Sequence, residues 1–249
     1  MKIEKFSKTK NSMYLITLED GNKIKIHEDL ILKYGLLLSK QVDSNLLEEI
    51  QKENQVYEIY EFALKYLKIK LRSRKELSSY LIKKGYSKEQ IDYVITLLSN
   101  QGYLNDKIYA NSFIHDKILM SSYGPNKIKS ELEGLGISDE IINETISCFT
   151  EEMEKERIEK LVNKQIKSNR NKGSIVLKKK IQTYLLNLGY SSNLVHQSLN
   201  GKKLVDEDIY KKEYEKLYNK LSKKYSGKEL EYKLKQKMYQ KGFTGNDFE

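Results

Sequence analysis

The chain has 249 residues, of which 45 are Lys or Arg and 35 are Asp or Glu, leaving a formal charge of +10. A single cysteine excludes an internal disulfide framework, a single proline argues for helix, and no run approaches the roughly 18 apolar residues a bilayer span requires. At 39% hydrophobic and 32% charged, the composition suits a thin array with much surface, and its basic balance suits an anionic partner such as nucleic acid or an acidic protein face. No apolar stretch follows the first lysines, so no signal peptide is expected and the cytoplasm is the expected compartment.

Residues 1–54 read as an N-terminal extension, electrically neutral with nine basic and nine acidic residues. Tyr14, Ile16 and Leu18 alternate with other residues, Glu19-Asp20-Gly21-Asn22 marks a turn, and Ile24 and Ile26 alternate again. Asp-Gly between two such runs signals a β-hairpin, to which residues 1–8 are expected to add a third strand. A hairpin alone is marginally stable, so it is expected to pack on helices in 28–54. Residues 55–105 then form a first three-helix unit, with helices over 58–70, 74–84 and 88–100. Ser73 with Glu76, and Ser87 with Gln90, are capping boxes for the second and third of these.

A seven-residue phrase recurs along the chain from the first unit onward: an apolar residue, three variable ones, Gly, an apolar residue, then Ser or Thr. It occurs at Leu81 to Gly85-Tyr86-Ser87, Leu132 to Gly136-Ile137-Ser138, Leu185 to Gly189-Tyr190-Ser191, and Met238 to Gly242-Phe243-Thr244. Gly suits the position after a helix cap, where φ is positive; the residue after it touches the apolar residue five back; Ser or Thr caps the next helix. The phrase sets further units at 106–150, 151–203 and 204–249, the last truncated. Gly124-Pro125 opens the matching helix of the second unit, while Ser174 and Ser226 are the expected caps in the third and fourth, making those helices about one turn longer. Apolar pairs stand eight and four residues before each glycine (Leu77/Leu81, Ile128/Leu132, Ile181/Leu185, Leu234/Met238), a single buried face. The expected fold is mainly α: an elongated, right-handed-type tandem array of three-helix repeats, a solenoid, carrying a small N-terminal β-hairpin.

The pattern offers no catalytic site, metal site or cofactor motif. His27, His115 and His196 lack companions at ligand spacing, and Cys148 beside Phe149 reads as a small core residue. Phosphate-binding, dinucleotide and nucleophile-elbow motifs are absent. Two basic clusters stand out as binding candidates: Lys65, Lys68, Lys70, Arg72, Arg74 and Lys75 with Lys83 and Lys84, and Lys164, Lys167, Arg170, Lys172, Lys178, Lys179 and Lys180. Residues 160–180 hold eight basic side chains and no acidic one. Such groups either form a solvated face or contact the phosphates of a nucleic acid. Most of the 19 tyrosines fall at helical spacing and read as packing rather than base stacking. On this reading, charge reversal at Arg72 and Arg74 weakens binding without disturbing the helices.

Several stretches together resemble the RecX family of bacterial recombination regulators: Ala63-Leu64 through Arg72-Ser73-Arg74-Lys75-Glu76-Leu77, Leu81 to Lys84-Gly85-Tyr86, Gln101-Gly102-Tyr103-Leu104-Asn105-Asp106 and Tyr109-Ala110. Gly124-Pro125, Ile128, Glu131-Leu132 and Leu135-Gly136-Ile137 extend the resemblance to about residue 146. The segments His27-Glu28-Asp29-Leu30 and Lys33-Tyr34-Gly35-Leu36-Leu37 are similar to the N-terminal extension of its Gram-positive branch. The resemblance implies a non-enzymatic, monomeric modulator of RecA, needing no cofactor. Its partners would be the RecA filament and the single-stranded DNA within it, with weak direct DNA binding and no membrane. Lodged in the filament groove, it would most often inhibit ATPase, strand exchange and co-protease activity. The competing expectation is a sequence-independent DNA-binding helical module.

Overall fold

The computed structural model describes residues 1–9, 12–169, 172–202, 204–205 and 207–243. Among these, thirteen α-helices follow one three-stranded antiparallel sheet, so the fold is mainly α. None of the described helices is long and apolar enough to cross a membrane. The chain divides into two compact units, Met1–Tyr109 and Ala110–Glu249.

The first unit opens on strands β1 (Ile3–Lys8), β2 (Met13–Leu18) and β3 (Lys23–His27), paired in that order. Alternation places Ile16, Leu18 and Ile26 inward with Ile3. The β2–β3 loop closes through Leu18 N–H donating to Asn22 O at 2.9 Å, with Gly21 at φ +84° and Asp20 Oδ1 accepting from Asn22 N at 3.0 Å. Two short helices, α1 (Glu28–Lys33) and α2 (Leu36–Ser39), lead to α3 (Ser44–Leu67), whose N-terminus is capped by Asp43 accepting from Leu46 N.

At 24 residues, α3 is far longer than the helix expected over 58–70. No Gly or Pro interrupts residues 44–67, so nothing ends the helix at 54, and it serves both the sheet and the helices beyond it. Its first half holds the sheet through Asn54, which accepts from His27 N at 2.8 Å and donates to Lys25 O at 2.9 Å. His27 in turn stacks on Tyr57, ring centroids 4.4 Å apart, and its Nδ1 accepts from Asp29 N to start α1. Its second half buries Ile59 and Ala63 against α4 (Arg74–Lys83) and α5 (Lys88–Asn100), sharing a core with Leu77, Leu81, Ile91, Val94 and Leu98. Both expected capping boxes are formed, at Ser73/Glu76 and Ser87/Gln90.

Helix α6 (Asp106–Met120) leads into the second unit, which holds α7 (Pro125–Gly134), α8 (Asp139–Thr145), a 3-10 turn at Ile146–Cys148, α9 (Glu151–Ser168), α10 (Ser174–Asn187), α11 (Ser192–Leu199), α12 (Glu207–Leu221) and α13 (Gly227–Gln240). The apolar pairs on α4, α7, α10 and α13 are all buried. Helices α4 and α7 have 10 residues and α10 and α13 have 14, the expected extra turn. Each glycine phrase ends its helix with the same returning bond: Tyr86, Ile137, Tyr190 and Phe243 N–H reach back five residues to Leu81, Leu132, Leu185 and Met238 O. The glycines carry φ between +80° and +89°.

One cap differs from expectation, one matches in place only, and one falls outside the described residues. Ser174 is the first helical residue of α10, whose cap is Gly173; Ser226 caps α13 with no side-chain bond; and Thr244 lies outside the described residues. Cys148 is exposed rather than a core residue, because the 3-10 turn directs its neighbours Ile146 and Phe149 inward in its place.

The cap at Gly173 has a physical reason. In the second unit the start of one helix abuts the end of another, backbone on backbone. Gly124 and Asn126 at the start of α7 donate to Leu188 and Gly189 O at the end of α10, at 2.7 and 3.0 Å. Gly173 and Ile175 at the start of α10 donate to Lys241 and Gly242 O at the end of α13, at 2.9 and 3.2 Å. Orphan N–H groups of one helix thus meet orphan carbonyls of the next, and the positive dipole end of one faces the negative end of the other. A Cβ on Gly124 would stand 2.7 Å from Gly189 backbone, and one on Gly173 only 2.1 Å from that of Gly242 and Phe243. Gly124→Ala and Gly173→Ala are each expected to destabilise by roughly 1–3 kcal/mol or more, as an overpacked site does. Gly134→Ala, in a helix with nothing within 4 Å of its added Cβ, is expected to stabilise by about 0.5–1 kcal/mol. Thermal unfolding followed by circular dichroism distinguishes the two signs.

Candidate functional site

The first basic cluster lies in the first unit, on the end of α3, the 68–73 linker and α4. Its members do not share one role. The Arg72 guanidinium lies over the Tyr66 ring at 4.2 Å, and that ring stacks on Tyr80 at 4.1 Å with 2° between planes. Arg72 Nη1 donates to Glu76 Oε1 at 3.3 Å, and only 14% of its side chain is exposed. Arg72 is therefore built into the wall of the helical core. Lys84, the C-cap of α4, lies over the outer ring of the same stack, 5.7 Å from the centre of Tyr80.

Glu76 is the hub of this corner. It accepts from Ser73 N–H and Arg72, and from the buried Tyr109 hydroxyl. Burial alone would raise its pKa, yet these donors outweigh it and hold the carboxyl below its ordinary 4.5. The Tyr109 phenol is pushed far up, by burial first and then by the carboxylate it donates to. Arg74 is 54% exposed along its side chain and pairs with Asp106 at 3.5 Å, while its N–H at the start of α4 donates to the same carboxylate.

Lys68, Lys70, Lys75 and Lys83 remain at the surface. Between the first two the linker also exposes apolar side chains, Ile69 at 76% and, just beyond, Leu71 at 52%. Lys68-Ile69-Lys70-Leu71 is thus a solvent-facing stretch that alternates charge with apolar surface, which a reading confined to basic residues passes over.

The second cluster lies in the second unit. Lys164 and Lys167 are exposed on α9, Lys178 and Lys179 on α10, and Lys172 is half-buried in the turn between them. Lys180 is engaged by Asn169 Oδ1 at 2.5 Å, and Arg170 lies outside the described residues. Lys164, Lys167, Lys178 and Lys179 make no ion pair among the described residues.

Arg157, outside both clusters, ties α9 to the end of α6. Its Nη1 donates to Ile118 O at 2.7 Å, its Nη2 to Ser121 O, and its Nε to the Tyr190 hydroxyl, which itself donates to Ser122 O. The cation closes the carbonyl end of α6. Glu154 is buried and accepts from Ser191 N at 2.7 Å, fixing the start of α11; burial raises its pKa and that bond opposes the rise. No group of three or more metal-ligating side chains occurs among the described residues. His27 is buried in its cap, His196 faces Gln182, and His115 is exposed on α6.

Family models described as RecX, first three-helix domain, and RecX, second three-helix domain, match residues 60–98 and 105–146. A regulatory protein RecX of Lactococcus lactis subsp. cremoris is 32% identical over 202 residues, covering 79% of this chain and 75% of its own. The chain belongs to the RecX family. A second RecX, from Streptococcus gordonii, is 34% identical over 192 residues, covering 77% of this chain and 73% of its own. A crystal structure of a regulatory protein RecX superposes with TM-score 0.73 at 25% identity, covering 81% of this chain and 99% of that one. A RecX from Lactobacillus salivarius gives TM-score 0.55 at 28% identity, over 58% of this chain and 94% of its own. The tandem three-helix architecture is therefore the RecX architecture.

Two outcomes separate structural from surface cations. Arg72→Ala is expected to cost roughly 1–3 kcal/mol of stability, since it opens a buried stack, whereas Arg74→Ala costs about 0–1 kcal/mol, as an exposed pair does. Charge reversal at both positions is therefore expected to disturb the fold, where the sequence alone leads to an expectation of intact helices. The pH dependence follows from Glu76. A carboxyl whose folded pKa is depressed adds stability that is full above its ordinary 4.5 and is lost as pH falls through the folded value. Glu76→Gln should flatten the acid limb of a melting-temperature profile below about pH 4.5.

Proposed function

We propose that this protein regulates RecA by binding the RecA–single-stranded DNA filament, within its groove, and restraining its ATPase, strand-exchange and co-protease activities. It acts as a cytoplasmic monomer without catalysis of its own, through three-helix units at 55–105, 106–150 and 151–203 and a truncated unit at 204–249. Membership of the RecX family is the observation that carries this reading. The exposed Lys68-Ile69-Lys70-Leu71 linker supports it: apolar side chains seat against a protein partner while the lysines meet its carboxylates or the phosphates of its DNA.

A second reading, sequence-independent binding to nucleic acid, is favoured by one feature: Lys164, Lys167, Lys178 and Lys179, which make no ion pair among the described residues, on a stretch with no acidic residue between 160 and 180. The deciding measurement is RecA ATPase on single-stranded DNA at near-physiological salt with this protein titrated in. Inhibition is expected well below one molecule per RecA monomer. Unchanged ATPase, beside salt-sensitive binding to bare DNA, would replace the first reading with the second.

A further inference from the structure

Helix α12 carries a ladder of aromatic rings. Tyr210, Tyr214 and Tyr218 stand four residues apart, one above the next, with centroids 5.9 and 6.5 Å apart and planes inclined by 27° and 13°. The inner end is closed: Tyr210 is buried and meets Phe243 edge-on at 5.6 Å, at the terminal turn of α13. The outer end is open, with Tyr214 39% and Tyr218 45% exposed. Beside the inner rungs lies a hollow of about 470 Å³, lined by Tyr210, Lys211, Tyr214 and Glu215. Burial of the core explains Tyr210; it does not explain two further rings stacked outward into water.

The charge beside the ladder is graded. At its inner end two acidic side chains are matched, Glu207 with Lys211 and Glu213 with Lys241. Beyond Glu215 the balance changes: residues 216–228 hold five lysines and no acidic residue. Of these, Lys220, Lys223, Lys224 and Lys228 make no ion pair among the described residues. Outward-facing rings thus run into a block of unpaired cations. Stacked rings fit the flat faces of unpaired bases, and cations beyond them fit the phosphates that join those bases. Duplex DNA, whose bases are already stacked, can use only the lysines.

We infer that the α12 tyrosine ladder and the lysines at its outer end form a platform for single-stranded nucleic acid. Bases stack on Tyr214 and Tyr218, and the backbone tracks Lys220, Lys223 and Lys224. The inference does not depend on the RecA reading, because the test contains no recombinase, so the two stand or fall separately.

The test uses the full chain and a fluorescein-labelled oligothymidylate, with binding read by fluorescence anisotropy and a duplex of equal length in parallel. The protein has no tryptophan, so quenching of its tyrosine emission reports stacking directly. The Tyr214→Ala/Tyr218→Ala variant is expected to bind the single strand at least tenfold more weakly, with duplex binding unchanged. The Tyr214→Phe/Tyr218→Phe variant, which keeps the rings, should bind like the parent. Lys220→Gln/Lys223→Gln/Lys224→Gln should reduce the slope of log affinity against log salt by about 2, at about 0.7 per phosphate contact. The proposal is overturned by alanine variants that bind the oligomer as the parent does, by equal losses on single strand and duplex, or by an unchanged salt slope. It is overturned too if sedimentation shows a dimer that the alanine substitutions dissociate, since a second copy would then cover the ladder. Should the alanine pair lose helicity, the phenylalanine pair and the lysine variant decide.

Discussion

The second unit depends on one contact, the glycine-to-glycine junction between the start of one helix and the end of another. At both junctions two backbone N–H groups enter two backbone carbonyls, from residues at the same offsets in α7 and α10. The contact requires three conditions at once: a helix end with positive φ, a helix start without a Cβ, and orphan groups facing each other. Where they hold, no side chain is needed to cap either helix, which is why Gly173 stands where the sequence pattern points to a serine cap. The apolar faces around Leu132, Ile181, Leu185 and Met238 can then be buried without leaving polar backbone stranded at the junctions.

In the first unit the corresponding helix start is Ser73, and a polar corner takes the place of the junction. Ser73 N–H, Arg72 and the Tyr109 hydroxyl all donate to Glu76, and Asp106 accepts from Arg74 N–H beside them. A cation sandwiched between a ring face and a carboxylate holds the linker between α3 and α4 in one path. The same path leaves Ile69 and Leu71 on the outside. The exposed stretch offered to a partner is therefore set by how its neighbour Arg72 is buried.

How much of this is legible in the sequence depends on how far away the deciding atoms lie. The ends of α4, α7, α10 and α13 are legible because a positive φ and its returning bond involve six consecutive residues. The capping boxes are legible for the same reason. Gly173 as a cap is not, because the clash that demands glycine comes from Gly242, 69 positions along the chain. The basic clusters are visible as composition, yet composition does not separate Arg72 from Lys70. That distinction rests on Tyr66 and Tyr80, which only the packing of α3 on α4 brings together. Arg157 stands among mixed charges and gives no signal, since the carbonyls it serves end a different helix. The ladder on α12 is periodic in the sequence, but whether its rings are covered is a property of the fold.

The unbroken course of α3 has a mechanical meaning. A loop between the sheet and the helices would act as a joint, letting each side move and melt alone. A 24-residue helix held in its first half by Asn54 and in its second by the core around Ile59 and Ala63 is instead a shared beam. Strain applied to the sheet is delivered to α4 and α5 as torque rather than dissipated in slack chain, and the N-terminal extension behaves as a lever fixed to the first helical unit.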